Sequence, residues 1–219
     1  MRRASRILGS VWLSALAIAT PTYAAVIFSD SGAGNTFNLE DGYLIYRNSG
    51  SSPGGPAEPR VAASFTPSIT GRLDTVSLAA GFATGTFTSL NQLDLNLRAD
   101  AAVSPRSIIE SFRISNQMTG RGLNQGEPVS ATSILQPILS SGTRYWLEAS
   151  VPTNPDPGNT TLVIHFNSSN AIGLVQTTRG NGFVERIVPA LLPAFSLDGT
   201  PAEFKASYLT ERPVDAILH

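Results

Sequence analysis

The side chains able to do acid–base, nucleophilic or metal chemistry are few. Cysteine is absent, and the only imidazoles are His165 and His219. Thiolate metal sites, cysteine nucleophiles and a lipid-bearing N-terminal cysteine are therefore excluded. His165 sits between Ile164 and Phe166 in an apolar run, and His219 is the terminal residue. A catalytic triad or a zinc site needs several convergent partners, so His165 reads as an ordinary strand residue, facing solvent or one polar neighbour. No His-Glu-x-x-His or phosphate loop is present, and no Gly-x-Ser-x-Gly nucleophile elbow is expected.

Carboxylates are the remaining candidates. A glycosidase needs two of them flanking the scissile bond. Glu40-Asp41, Glu110, Glu127, Glu148 and Asp156 are available, and Glu148 stands out because it lies two residues after Trp146. In an extended chain those two share a face, and an aromatic platform beside a carboxylate is a sugar-site pattern. The sequence supplies no second carboxylate opposite Glu148, so no catalytic assignment follows. Read as a binding site instead, Trp146, Glu148, Tyr43 and Tyr46 are the candidate sugar contacts, with Phe183 a further exposed-aromatic candidate. Asp30, Asp41 and Asp198 fall near loop ends that a sandwich could bring together, an oxygen set that would suit a structural calcium. Their spacing matches no specific calcium loop, and no other cofactor is indicated.

Those residues need elements to hold them. The organising stretch is Thr143–Val151, Thr-Arg-Tyr-Trp-Leu-Glu-Ala-Ser-Val, after a Ser141-Gly142 turn. Tyr145, Leu147 and Ala149 would face the core, with Trp146, Glu148 and Ser150 on the outward face. The clearest alternation is Leu93, Leu95 and Leu97 separated by Asp94, Asn96 and Arg98, a strand buried on one face. Further strands are expected at 26–28, 43–46, 61–66, 73–78, 108–115 (with a bulge near Ser111), 129–134, 162–166, 173–178 and 193–197. Residues 135–139 contain Pro137 and read as a turn or a single helical turn. Pro- and Gly-rich stretches at 48–59 and 152–158 read as loops. About ten to twelve short strands without amphipathic helices specify an all-β fold, a two-sheet antiparallel β-sandwich of jelly-roll type.

The ends differ from the middle. Residues 1–24 read as a secretory signal peptide: Arg2, Arg3 and Arg6, an apolar run Ile7–Ala19, a break at Pro21 and small residues before a cut after Ala24. The sandwich domain is assigned to 25–200, and 201–219 to a loosely ordered or short helical tail. After the cut, 12 basic residues face 16 acidic ones, net −4, which disfavours a nucleic-acid partner. No later run is long enough to span a membrane. The expected location is secreted or cell-surface, with the periplasm as the other compartment that export allows.

Three stretches carry a family resemblance. Ala63-Ser64-Phe65-Thr66-Pro67-Ser68 followed by Leu73-Asp74-Thr75-Val76-Ser77-Leu78 resembles the opening of bacterial surface β-sandwiches. Leu139-Ser140-Ser141-Gly142-Thr143-Arg144-Tyr145-Trp146-Leu147 resembles their central strand, and Pro193 to Pro201 (Pro-Ala-Phe-Ser-Leu-Asp-Gly-Thr-Pro) their closing one. Together these resemble the choice-of-anchor group, whose members often carry a PEP-CTERM sorting tail. The resemblance covers about residues 25–201 and implies an exported, non-enzymatic sandwich of Gram-negative bacteria, structural or adhesive in the extracellular matrix. Its expected partner is an extracellular polysaccharide or a matrix protein. A carbohydrate-binding module is the alternative. The sorting tail is not seen: after Pro201 come Ala202-Glu203-Phe204-Lys205, without Pro-Glu-Pro and an apolar span.

Overall fold

The computed structural model describes residues 24–32, 35–47, 59–83, 91–118, 124–153, 160–179, 183–184 and 187–202. Residues 1–23, 48–58, 154–159, 180–182 and 203–219, where the sequence leads one to expect a signal peptide, loops, a turn and a tail, lie outside these residues. Among the described residues there is no helix, and two antiparallel sheets face each other as a β-sandwich.

The first sheet is built on β4 (Gly71–Phe82), a strand long enough to serve two neighbours on each edge. One edge carries β14 (Phe195–Pro201) and then β10 (Thr160–Asn167). The other carries β8 (Ile138–Leu139) and β7 (Glu127–Thr132). β1 (Ala25–Ser29) extends the sheet beyond β14, and β2 (Phe37–Arg47) beyond β10. The second sheet runs β12 (Phe183–Val184), β11 (Ile172–Arg179), β3 (Arg60–Phe65), β9 (Tyr145–Ser150), β5 (Gln92–Asp100), β6 (Pro105–Ser115), with β13 (Val188–Leu191) also on β11. The stretch expected to organise the chain is thus an interior strand, paired along both edges by β3 and β5.

The inner faces follow the period-two pattern. Leu93, Leu95 and Leu97 are fully buried, and Leu147 and Ala149 join them from β9. Leu73, Val76, Leu78, Leu162, Ile164 and Leu197 oppose them from the first sheet. Phe65 touches Tyr145, Phe28 and Phe195 through tilted, stacked and edge-on rings 5.2–5.8 Å apart, closing one end of the core. Each such side chain contributes about 1.5–3 kcal/mol. In a chain without disulfides, that burial must hold the fold.

Three expectations shift. The β6 irregularity lies at Ile109, not near Ser111: Leu97 opposes Glu110 while Arg98 opposes Ile108. Glu110, Phe112 and Ile114 keep the two-residue period and face inward together, and the bulge sets Ile108 on the outer face, opposite Arg98. Residues 133–137 form a braced loop, and β8 follows. β12 and β13 were not expected, being short and rich in turn-forming neighbours.

Candidate functional site on the outer face of the second sheet

The pairing register across β11, β3, β9, β5 and β6 lays the outward side chains in rows. One row reads Gln176, Ala62, Glu148, Asn96, Ser111. The next includes Thr178, Arg60, Ser150, Asp94 and Arg113, and a third Ser64, Trp146, Arg98 and Ile108. In antiparallel sheets such directly opposed side chains are the ones that interact.

They form a polar net centred on Glu148, flanked by two further pairings at Asp94 and Asp100. Glu148 Oε1 accepts from Asn96 Nδ2 at 3.0 Å and Arg98 Nη2 at 3.1 Å, with Arg60 Nη1 at 3.9 Å. Ser111 donates to Asn96 Oδ1 at 2.7 Å. Arg113 grips Asp94 with two parallel bonds of 2.8 and 2.9 Å, the fork geometry that suits guanidinium and carboxylate. That pairing holds the Arg113 guanidinium above its ordinary pKa, chiefly through the hydrogen bond to Asp94. Trp146 Nε1 donates to Asp100 at 2.7 Å, and Arg144 lies 4.0 Å from the same carboxylate. Arg98 ties the net to β6 through a 2.7 Å bond from Nη1 to the Arg106 carbonyl.

Trp146 and Glu148 therefore point outward as expected but are not a solvated platform. Trp146 is 0 % exposed and Glu148 8 %. An indole with no open face cannot stack on a sugar, so Trp146 is corrected from a stacking candidate to a covered strut. Tyr43 is half-buried on β2, its hydroxyl donating to the Leu191 carbonyl at 2.8 Å and its ring edge-on to Phe166. Burial pushes its pKa up to about 12. Tyr46, 37 % exposed, is the one of the four with an open ring, and it lies on the other sheet with Leu44. The four proposed sugar contacts thus do not converge. The side chain of Phe183 lies outside the described residues, as do Asp156 and His219.

The calcium trio is also dispersed: Asp30 closes β1, Asp41 lies in β2, and Asp198 lies in β14 opposite Val26 and Thr75. Among the described residues no three His, Asp or Glu side chains form a group able to hold a metal. Asp30 is buried, with Oδ1 accepting from the Phe195 amide at 2.8 Å and Oδ2 without a partner. Burial raises its pKa from 3.8 to about 7. Asp198 is also raised by burial. It lines a hollow of about 110 Å³ with Ser31, Asn35, Ser77 and Ser196.

His165, expected on a solvated or singly satisfied position, is 0 % exposed. Its Nδ1 donates to the Asn38 carbonyl at 3.1 Å, its ring lies 5.6 Å from that of Phe37, and Nε2 has no partner. Gly126 covers the ring so closely that a Cβ there would collide with Cδ2 and Nε2. Burial lowers its pKa below the ordinary 6.5, which favours the neutral ring.

One motif needs correction. Gly50-Ser51-Ser52-Pro53-Gly54 does spell Gly-x-Ser-x-Gly. An elbow requires a strand running into a helix. These residues lie outside the described ones, in a stretch of loop composition, and no helix occurs among the described residues.

The residues that make the net and its flanking pairs, Arg60, Asn96, Arg98 and Arg113, escaped sequence reasoning as a group. Asn96 and Arg98 were visible as the polar half of the leucine alternation. That they meet Glu148 depends on which strands pair and in which register. Compared with family models, curated proteins and solved structures, the chain matches none. No helix among the described residues is long and apolar enough to cross a membrane.

Proposed function

We propose that the chain is an exported, non-enzymatic β-sandwich acting through its surface in the extracellular matrix, in a structural or adhesive role. The observation that supports this best is the engagement of the carboxylates on the outer face of the second sheet. Glu148 is pinned by Asn96 and Arg98, Asp94 by Arg113 and Asp100 by Trp146. A glycan hydrolase needs one carboxyl free to give a proton and a second free to attack or to activate water. Here the acids stiffen the sheet instead. The signal-like leader and the choice-of-anchor resemblance favour export and a matrix setting.

The same face favours a second reading, a carbohydrate-binding module. Arg60, Arg113, Asn96, Ser111, Gln176 and Thr178 stand in adjacent rows. Hydroxyl and carboxylate groups of an extended polysaccharide suit the partly exposed guanidiniums of Arg60 and Arg113, without aromatic stacking. Co-sedimentation with alginate and with cellulose separates the readings. The structural reading expects no retention on either. Retention on alginate that is lost in Arg113→Ala would favour the binding module. Release of reducing ends from any glycan, abolished in Glu148→Gln, would overturn both.

A further inference from the structure

The geometry points to a sugar site on the outer face of the first sheet: a hollow that takes a single uncharged hexose ring through its hydroxyls. The site is separate from the polar net on the second sheet, and it stands whether or not the protein has the matrix role. The hollow lies where β14 and β10 meet along one edge of β4, the Ala194 amide donating to the His165 carbonyl at 2.8 Å. The turn from β1 to β2 overhangs it.

The strands set its polar groups side by side. Ser77 and Ser196 are cross-strand partners on β4 and β14. Asp198 stands two residues beyond Ser196 and so shares its face, with Leu197 between them buried in the core. Ser31 and Asn35 close the hollow from the turn. That turn is clamped. The Gly32 amide donates to the Thr36 carbonyl at 2.9 Å, the Thr36 and Ser168 hydroxyls lie 2.8 Å apart, and Ser168 Oγ donates to the Thr36 carbonyl at 3.0 Å. Asn35 takes a left-handed conformation, φ 59°. Ala79, its cross-strand partner Pro128 and Phe37 add an apolar wall.

The polar side chains of this hollow are uncommitted. Among the described residues, those of Ser31, Asn35, Ser77, Ser196 and Asp198 make no hydrogen bond or ion pair. A larger groove of about 320 Å³ between β6 and β7 is the contrast. There Glu110 is bonded to Ser133 and the loop amides, Ser111 to Asn96, Arg113 to Asp94, and Gln117 to the backbone of Ser130. Burial alone raises the pKa of Asp198: its carboxylate has lost water and gained no donor. Such a group weakens the fold unless a ligand brings the donors.

The lining selects the ligand. It holds one carboxylate, three serine hydroxyls and one carboxamide, and no lysine, arginine or histidine. Anions, uronic acids included, find no counter-charge. A metal ion finds one acid, and no group of three His, Asp or Glu occurs among the described residues. An ammonium would pair with Asp198 but has no apolar face to set against Phe37, Ala79 and Pro128. A hexose has both parts: neighbouring hydroxyls that donate to the carboxylate and exchange bonds with the serines, and a C–H face that rests on the apolar wall. Size agrees. At about 110 Å³ the hollow is well below the roughly 300–1,000 Å³ of sites for drug-sized ligands, so one ring enters and the interior of a chain does not.

The test is an amide NMR titration of the protein with D-glucose, D-galactose and D-mannose, each alone, and with D-glucuronate and methylammonium as charged comparators. At least one hexose should move the amides of Ser77, Ser196 and Asp198 with a Kd of about 1 mM, while those of Asn96 and Ser111 on the second sheet stay still. Asp198→Asn should weaken that hexose at least about tenfold and Ser196→Ala about threefold, whereas Leu44→Ser on β2 should leave it unchanged. Thermal unfolding separates loss of ligand from loss of fold, because removing an uncompensated charge should not lower the Tm of Asp198→Asn. No shift with any of the three hexoses, a stronger response to glucuronate or methylammonium than to every hexose, or equal hexose binding by Asp198→Asn would each overturn the proposal. Shifts confined to the second sheet would overturn it too, while favouring the binding module on that face.

Discussion

Replacing Asp30 by asparagine should stabilise the protein, and the gain should grow with pH. Asp30 extends the β1–β14 pairing past Ser29: its amide donates to the Phe195 carbonyl at 3.2 Å, and its Oδ1 accepts from the Phe195 amide at 2.8 Å. It is 6 % exposed, and Oδ2 has no partner. Burial raises the folded pKa from 3.8 to about 7 despite the hydrogen bond from Phe195, which lowers it. The folded state therefore keeps a proton that the unfolded chain has lost. The sign follows: the contribution of Asp30 is fully present below 3.8, declines as pH rises, and is gone above about 7. The interval corresponds to about 4 kcal/mol, and to about 2 kcal/mol if the segment relaxes to admit water. Against a typical domain stability of about 5–15 kcal/mol that is a large share. An asparagine side chain at this position would keep the Oδ1 acceptor and carry no charge at any pH. Urea unfolding of the parent and of Asp30→Asn, at about pH 5 and about pH 8, gives the difference at each pH. Contributions from His165 and Asp198 are common to both proteins and cancel. The advantage of the variant should widen by about 1–3 kcal/mol between the two pH values, the part of the interval that lies above the lower one. A difference that stays constant, or that widens in favour of the parent, would refute the account of Asp30 as a buried, proton-holding carboxyl.

Other outcomes follow from the same geometry. His165 has the opposite sign. Its folded pKa lies below 6.5, so its contribution is present above that value and lost as pH falls through the folded pKa; His165→Gln should flatten the acid limb of a stability–pH curve. Gly126→Ala should cost about 1–3 kcal/mol through the clash with the imidazole, and a double-mutant cycle with His165→Ala should show coupling of at least about 1 kcal/mol. Glu110→Ala should cost about 2–4 kcal/mol and speed hydrogen exchange at Ile134 and Leu135, because two amides and a hydroxyl lose their acceptor. Trp146 is the only tryptophan in residues 25–219, so fluorescence of that segment should be blue-shifted, poorly quenched by acrylamide and unmoved by added polysaccharide.

The alternation of Leu93, Leu95 and Leu97, and of Tyr145, Leu147 and Ala149, determined the strands, their buried faces and the all-β class, because a two-residue period has one structural meaning. The absence of cysteine and the scarcity of histidine likewise bounded the chemistry before any coordinates. What the alternation cannot carry is the fate of the outward face. Trp146 and Glu148 read as solvated, yet both are buried: β3 and β5 set Arg60, Asn96 and Arg98 beside Glu148, and Asp100 takes the Trp146 N–H. Which strands pair, and in which register, depends on residues far apart in the chain. The loop amides that receive Glu110 and the burial of His165 beneath Gly126 are decisions of the same kind. Local pattern says which side of a strand a residue takes; only the assembled sheets decide what waits for it there.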